Sequence, residues 1–154
     1  NQLVDENSEK HLLGLRSSEK NLHLNTEQPY KEFLQRCEEL KNKTMSFIKN
    51  EVKKGKKIHA YGASTKGNTI LQYYELDDNL IDAIADRNPD KWYRKTIGTN
   101  LEIISEEKSR SLKPDYFLIL PWHFLEEFRE REQEFFKNGG KFIVPLPDFK
   151  IIEG

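Results

Sequence analysis

The stretch KIHAYGASTKGNTILQYY, Lys57–Tyr74, reads as a short apolar strand that runs into Gly62 and Gly67 and then into a helix. A strand, a glycine turn and a helix N-terminus together present bare backbone N–H groups, the commonest backbone arrangement for holding an anion. A P-loop needs Gly-Lys-Ser/Thr after its second glycine, but here Gly67 is followed by Asn68-Thr69 and Lys66 comes one place early, which argues against magnesium–NTP hydrolysis. The dinucleotide pattern G-x-G-x-x-G maps onto Gly62, Ser64 and Gly67, with Ser64 where a second glycine would let the backbone approach a pyrophosphate. That weakens an NAD reading. Ser64, Thr65, Lys66 and Asn68 nonetheless offer hydroxyl, amide and ammonium donors at a helix N-terminus, enough to hold a diphosphate. The competing reading is a plain strand-to-helix turn with a polar surface.

Outward from this turn the chain alternates. Short runs that are apolar nearly throughout, KIHAY, LIDAIAD, DYFLIL and KFIVPL, are separated by helical patterns, as expected of a parallel sheet covered on both faces. The spacing predicts strands over 57–63, 80–86, 101–104, 115–120 and 141–146, helices over 65–75, 105–112 and 123–138, and a closing strand near 149–152. Phe124, Leu125, Phe128, Phe135 and Phe136 form a core stripe on the helix expected over 123–138. Upstream, Phe33, Leu34, Cys37, Leu40, Phe47, Ile48 and Val52 keep helical spacing, with Asn25 or Thr26 as cap, Pro29 in the first turn and Gly55 at the end. Residues 1–25 carry leucines in no sustained period and read as a linker or interdomain segment. The expected organisation is therefore a linker to residue 26 and, over 27–154, an α/β Rossmann-like three-layer domain with a mostly parallel sheet, preceded by a long amphipathic helix.

Ligands of such sheets bind beyond the carboxyl ends of the strands, where connections diverge to opposite faces. After the second strand, Asp86 stands where an acidic residue takes ribose hydroxyls. The loop DRNPDKWYRKTIGT that follows interleaves Arg87, Lys91, Arg94 and Lys95 with Trp92 and Tyr93, a composition that stacks bases and neutralises phosphate, or that simply forms a solvated surface. Asn88-Pro89 marks a turn for which Asp86 is the alternative cap. In LPWHF, Trp122 and His123 end a buried strand. His123 is an acid–base candidate without a visible partner, so a cap or a binding role is the better assignment.

Lys+Arg 25 against Asp+Glu 26 leaves a net charge of −1, so no global field draws the protein to nucleic acid or anionic membrane. The longest apolar run is too short to span a bilayer and no signal segment opens the chain, so a cytoplasmic location is the expectation. Cys37 is alone, and His11, His23 and His59 suggest no metal site. A first residue other than Met is expected of a piece cut from a longer polypeptide.

YGASTKGN, ADRNPDK, GT with EIIS soon after, PDYFLILPWHF and GGKFIVPLP, in this order, resemble the C-terminal domain of S-adenosylmethionine-dependent sugar C-methyltransferases, over about Tyr30 to Ile152. The family includes enzymes that methylate carbon 3 of nucleotide-linked deoxy-keto sugars. One departure is Ile97-Gly98-Thr99 where the family pattern has Pro-Gly-Thr, which bears on the stiffness of that turn. The resemblance implies a preceding zinc-bearing domain and a methyltransferase domain in the same polypeptide, with the nucleotide sugar between that domain and this one. It implies that Tyr61, Gly62, Ala63, Ser64, Thr65, Lys66, Gly67, Asn68, Asp86, Arg87, Asn88, Lys91, Trp122 and His123 line the sugar-nucleotide side of the cleft. S-adenosylmethionine would be bound by the other domain, and this chain alone would transfer no methyl group. Two readings from other classes remain: a stand-alone module for CoA or a dinucleotide, and a non-catalytic interaction module docking through its long helix.

Overall fold

The computed structural model describes residues 6–154, with side chains from Asn7 onward. The part of the expected linker at residues 1–5 lies outside the described residues. Compact units divide between Glu39 and Leu40.

The first unit departs from the sequence expectation. Residues Glu6–Asn21 form a helix, α1, although Leu12, Leu13 and Leu15 share no single buried face and all remain exposed. Its many straight-chain polar residues have adequate helix propensity without an apolar stripe. A second helix, α2, spans Gln28–Lys53, with Pro29 in its first turn. Neither expected residue caps it: Lys31 donates its N–H to the Glu27 carbonyl, and the Thr26 hydroxyl turns back to the His23 carbonyl at 2.8 Å. Cys37 is half-buried on α2.

The second unit is built on a six-stranded sheet: β1 Ile58–Tyr61, β2 Ala83–Asp86, β3 Ile103–Ser105, β4 Tyr116–Ile119, β5 Lys141–Val144 and β6 Lys150–Ile152. The spatial order is β3-β2-β1-β4-β5-β6, all parallel except β6, which pairs antiparallel with β5. This is the doubly wound order, with its switch point between β1 and β4. Helix α3, Thr65–Tyr73, follows β1; α4, Glu106–Ser111, follows β3; α5, Leu125–Arg131, and α6, Gln133–Lys137, follow β4. Alternation along β1 separates two cores. Ile58 and Ala60 join Ile48 of α2 and Ile70 and Leu71 of α3 on one face. Tyr61 joins Phe117, Phe128, Phe135 and Phe142 on the other, with the Phe117 and Phe135 rings 4.3 Å apart. His59, on that second face, is buried and meets the Ser109 hydroxyl of α4 at 2.7 Å.

The single helix expected over 123–138 is instead three pieces. A 3-10 turn covers Trp122–Phe124, and α5 and α6 are separated by Glu132, whose backbone leaves the helical region at φ −101° and ψ 27°. Glu132 turns a fully buried carboxylate inward, where it accepts from the Tyr61 hydroxyl at 2.7 Å and from Arg110 at 2.5 Å. The Phe stripe is core at Phe128, Phe135 and Phe136, but Phe124 is half exposed. Between β2 and β3 no helix forms. A 3-10 turn at Pro89–Lys91 leads into an arm that folds back on β3, pairing the Tyr93 N–H with the Ile103 carbonyl at 2.8 Å and Lys95 with Glu102. At its tip Ile97 replaces the expected proline, yet the turn is tied: Thr96 and Thr99 hydroxyls meet at 2.7 Å, and Gln72 donates to the Ile97 carbonyl at 2.7 Å.

Candidate functional site

The glycine turn lies at the switch point, where it touches the loop after β4. Gly62 has φ +86°, and a Cβ there would stand 2.6 Å from the Pro121 ring; a Cβ on Gly67 would stand 2.8 Å from that of Leu120. Only glycine lets these two loops approach so closely. Ser64 is the N-cap of α3, its hydroxyl accepting the Gly67 N–H at 3.0 Å. That role explains why a serine stands where a dinucleotide cradle has glycine. The N–H groups of Gly62, Ala63, Ser64, Gly67 and Asn68 all have partners within the protein. Among the described residues the amides of Thr65 and Lys66 have no such partner, nor does the Lys66 ammonium, and both residues are exposed. The anion-binding capacity of the turn is thus concentrated in two amides and one cation at the start of α3.

The second loop behaves differently. Asp86 is buried, and both its oxygens are engaged: one accepts the Asn88 N–H at 2.8 Å, the other the Ala63 N–H at 2.8 Å and the Lys91 ammonium at 3.0 Å. Lys91 also donates to the Ala63 carbonyl at 2.8 Å, and the Trp92 indole N–H to the Asp86 carbonyl at 2.8 Å. Asn88 caps the following 3-10 turn by accepting from Asp90 N–H. Asp86 and Lys91 therefore tie this loop to the glycine turn through Ala63, while Asn88 and Trp92 brace the loop itself. Arg87 projects outward, 3.9 Å from Glu127, and Tyr93 is exposed at φ +63°. In the third loop Trp122 is half-buried. His123 is exposed, its ring 4.5 Å from that of Phe124. It does not cap α5, whose N-cap is Phe124 without a side-chain bond.

A cavity lies on each face of the sheet beside the turn. One of about 250 Å³ is lined by Tyr61, Gly62, Asp86, Arg87, Glu106, Phe124, Glu127, Phe128 and Arg131, five charged side chains beside three aromatic rings. Arg131 bridges Glu106 at 2.8 Å and also pairs with Glu127. Burial, reinforced by the Glu132 carboxylate, pushes the Tyr61 hydroxyl well above the ordinary tyrosine range, so it is a permanent donor rather than a base. The other cavity, of about 270 Å³, is lined mainly by aliphatic side chains from α3, β2, β3 and the Thr96–Ile97 tip, together with Asn68. Of the residues expected at the site, Tyr61, Gly62, Asp86 and Arg87 meet at the first cavity and Ala63, Ser64, Thr65 and Asn68 at the second. Lys66, Gly67, Asn88, Lys91, Trp122 and His123 line neither. Sequence reading missed Glu106, Arg131 and Glu132. The signal for Glu132 was present: a carboxylate four residues from both Phe128 and Phe136, on the apolar stripe itself.

A doubly wound sheet with its polar turn at the switch point defines a Rossmann-like domain, one whose β2 carboxylate is engaged in its own frame. The family model for the C-methyltransferase C-terminal domain matches residues 2–147, and the chain belongs to that family. The match takes in both α1 and α2, well upstream of the motifs that carry the resemblance. C-methyltransferase NovU of Streptomyces niveus is 33% identical over 123 residues, which cover 80% of this chain and 29% of that relative. The chain thus spans less than a third of the length of the relative. Among the described residues no helix is long and apolar enough to cross a membrane.

Proposed function

We propose that this domain holds the nucleotide-linked sugar of a C-methyltransferase and closes the active site against a methyltransferase domain of the same polypeptide. The observation that carries the reading is the start of α3. Among the described residues the amides of Thr65 and Lys66 have no protein partner, the Lys66 side chain is exposed beside them, and Thr65 lines the α3-face cavity, a donor set suited to a diphosphate. Family membership supplies the C-methylation context, and the name of the Streptomyces relative agrees with it. Thr65 and Lys66 bind the diphosphate, and Arg87, Trp122 and His123 flank it at the cleft edge. Asp86 and Lys91 hold the turn in place, and Asn88 braces the loop they belong to.

S-adenosylmethionine supplies the methyl group in this reading, but the residues present do not fit it. An adenosine ribose needs a free carboxylate after β2, and the Asp86 oxygens already accept three donors from within the protein. The cofactor is therefore assigned to the other domain, and the same engagement weighs against a CoA or dinucleotide module. Calorimetry with UDP- or dTDP-glucose and with S-adenosylmethionine, paired with amide shift mapping, tests the proposal. Nucleotide-sugar binding with shifts at Thr65 and Lys66 is expected, and no heat from S-adenosylmethionine. Tight binding of S-adenosylmethionine, or silence with both nucleotide sugars, overturns it.

A further inference from the structure

Residues 7–39 hold α1 and the first half of α2, and none of their side chains is fully buried. Eight of the thirteen exposed large apolar side chains among the described residues fall here, Leu13, Leu22, Phe33 and Leu34 among them at 57–62% exposure. Single exposed apolar residues are ordinary, but a cluster of this density marks a surface that something covers. Helices in proteins draw most of their stability from packing an amphipathic face, and these residues pack none of their own.

Helix α2 shows what is missing. The face that buries Thr44, Ile48 and Glu51 continues at helical spacing through the half-buried Cys37 to Leu34, Phe33 and Tyr30, where it is bare. The opposite face, Glu32, Gln35, Glu39, Asn42, Ser46 and Asn50, is polar throughout. An apolar stripe along the whole of a helix answers to cover along the whole of it.

Charge and family narrow the choice of cover. Residues 27–39 hold Glu27, Glu32, Glu38 and Glu39 against Lys31 and Arg36, so this face offers no basic flank to an anionic lipid surface. The family model begins at residue 2, so both helices belong to the domain that family members share, and the match occupies only 29% of the Streptomyces relative. A domain tethered in the same polypeptide stands at an effective concentration of about millimolar, which favours it over a second copy for the same apolar face. The two cavities beside the glycine turn are lined only by residues 61–131, so cover over α1 and α2 does not depend on what those cavities hold.

We infer that the bare face of α1 and the first half of α2 is the seat of the methyltransferase domain, a fixed apolar dock that forms with or without ligand in the cleft. This rests on the proposed function and adds to it the surface that joins the two domains.

The test compares amide hydrogen exchange in this chain alone and in the natural full-length polypeptide that contains it. In the chain alone, α1 is expected to exchange at nearly open-chain rates; in the full-length protein it is expected to be protected about a hundredfold or more, with or without dTDP-glucose or UDP-glucose. The double variant Phe33→Glu, Leu34→Glu lies at exposed positions and is expected to leave the melting temperature of the isolated chain within about 2 °C. In the full-length protein it is expected to abolish the protection of α1. Protection that is absent from the full-length protein, that survives the double variant, or that appears only with the nucleotide sugar overturns the dock. A dimer of the isolated chain that the double variant dissociates also overturns it, since a second copy then covers the face, as does binding of the isolated chain to phosphatidylserine vesicles. Calorimetry with the same nucleotide sugars separates the two readings. Binding without protection of α1 overturns the dock alone, protection without binding overturns the nucleotide-sugar reading alone, and a full-length polypeptide without a methyltransferase domain overturns both.

Discussion

Lys66 and Lys91 are one residue type in two loops at the same end of one sheet, and their fates differ. Lys66 stands on the first turn of α3, exposed and without a partner among the described residues. Lys91 folds inward to the Ala63 carbonyl and the Asp86 carboxylate. The difference originates in what each loop has to do. The turn after β1 already has a structural solution in Ser64, Gly62 and Gly67, so its lysine is not needed as a tie. The loop after β2 has no helix to cover it and uses its charged side chains as ties. Cations in neighbouring loops are therefore not interchangeable evidence: under the proposed function the first loop binds because the second one holds.

Removing the tie at its centre should have the largest effect. Asp86→Ala strips the partner from two backbone N–H groups and an ammonium at once, and is expected to lower unfolding stability by about 2–4 kcal/mol in urea titrations. A loss of nucleotide affinity without that destabilisation would return Asp86 to direct contact with a ribose.

The two lysines should then separate into different observables. Lys66→Ala is expected to weaken nucleotide-sugar binding by roughly 1.5–3 kcal/mol while stability stays within about 0.5 kcal/mol. Lys91→Ala should do the reverse at first order, costing about 1–2 kcal/mol of stability because its ion pair is partly solvated, with affinity falling only as far as the turn loosens. If Lys66→Ala lowers stability and spares affinity, the glycine turn is structural and the contrast between the loops disappears.

The strands and their parallel order were legible because buried strands need apolar runs and intervening helices force crossovers; KIHAY, DYFLIL and KFIVPL each land on a strand. The glycine turn was legible as a place, since strand, glycine and helix start are local features. Which donors are free within it was not, because that depends on contacts across sequence: Asp86 reaches Ala63, and Pro121 presses on Gly62. The break at Glu132 has the same origin, a partner 71 residues away in Tyr61. Helix α1 escaped notice for another reason. Its leucines are not gathered on a buried face, so periodicity, which reports burial rather than helicity, had nothing to detect.

The smallest expected effect concerns the sheet under both loops. His59 lies on β1 two residues before Tyr61, buried against Ser109. Burial pushes its pKa below the ordinary histidine value, the nearby Lys57 acts in the same direction, and Asp82 only partly opposes them. The unfolded chain therefore binds the proton more readily than the folded one. The stability this residue contributes is complete above about pH 6.5 and is lost as pH falls through the lower folded value, with a slope capped near 1.4 kcal/mol per pH unit by the single proton. A separate acid limb lies lower. Lys54 and Tyr116 hold Glu51 below its usual range; for Asp115, burial pushes upward, but Lys56 and the Lys57 N–H outweigh it and keep the carboxyl low. Stability from these two is present above their unfolded values near pH 4–4.5 and disappears beneath them. Urea titrations between pH 8 and about 2 should show both limbs, and His59→Gln should erase the upper one alone. Because the site loops rest on β1 without sharing this proton, nucleotide affinity measured where the protein is still folded should not follow the upper limb; if it does, the loops and the sheet beneath them titrate as one unit, and the division between a binding turn and its supporting frame fails.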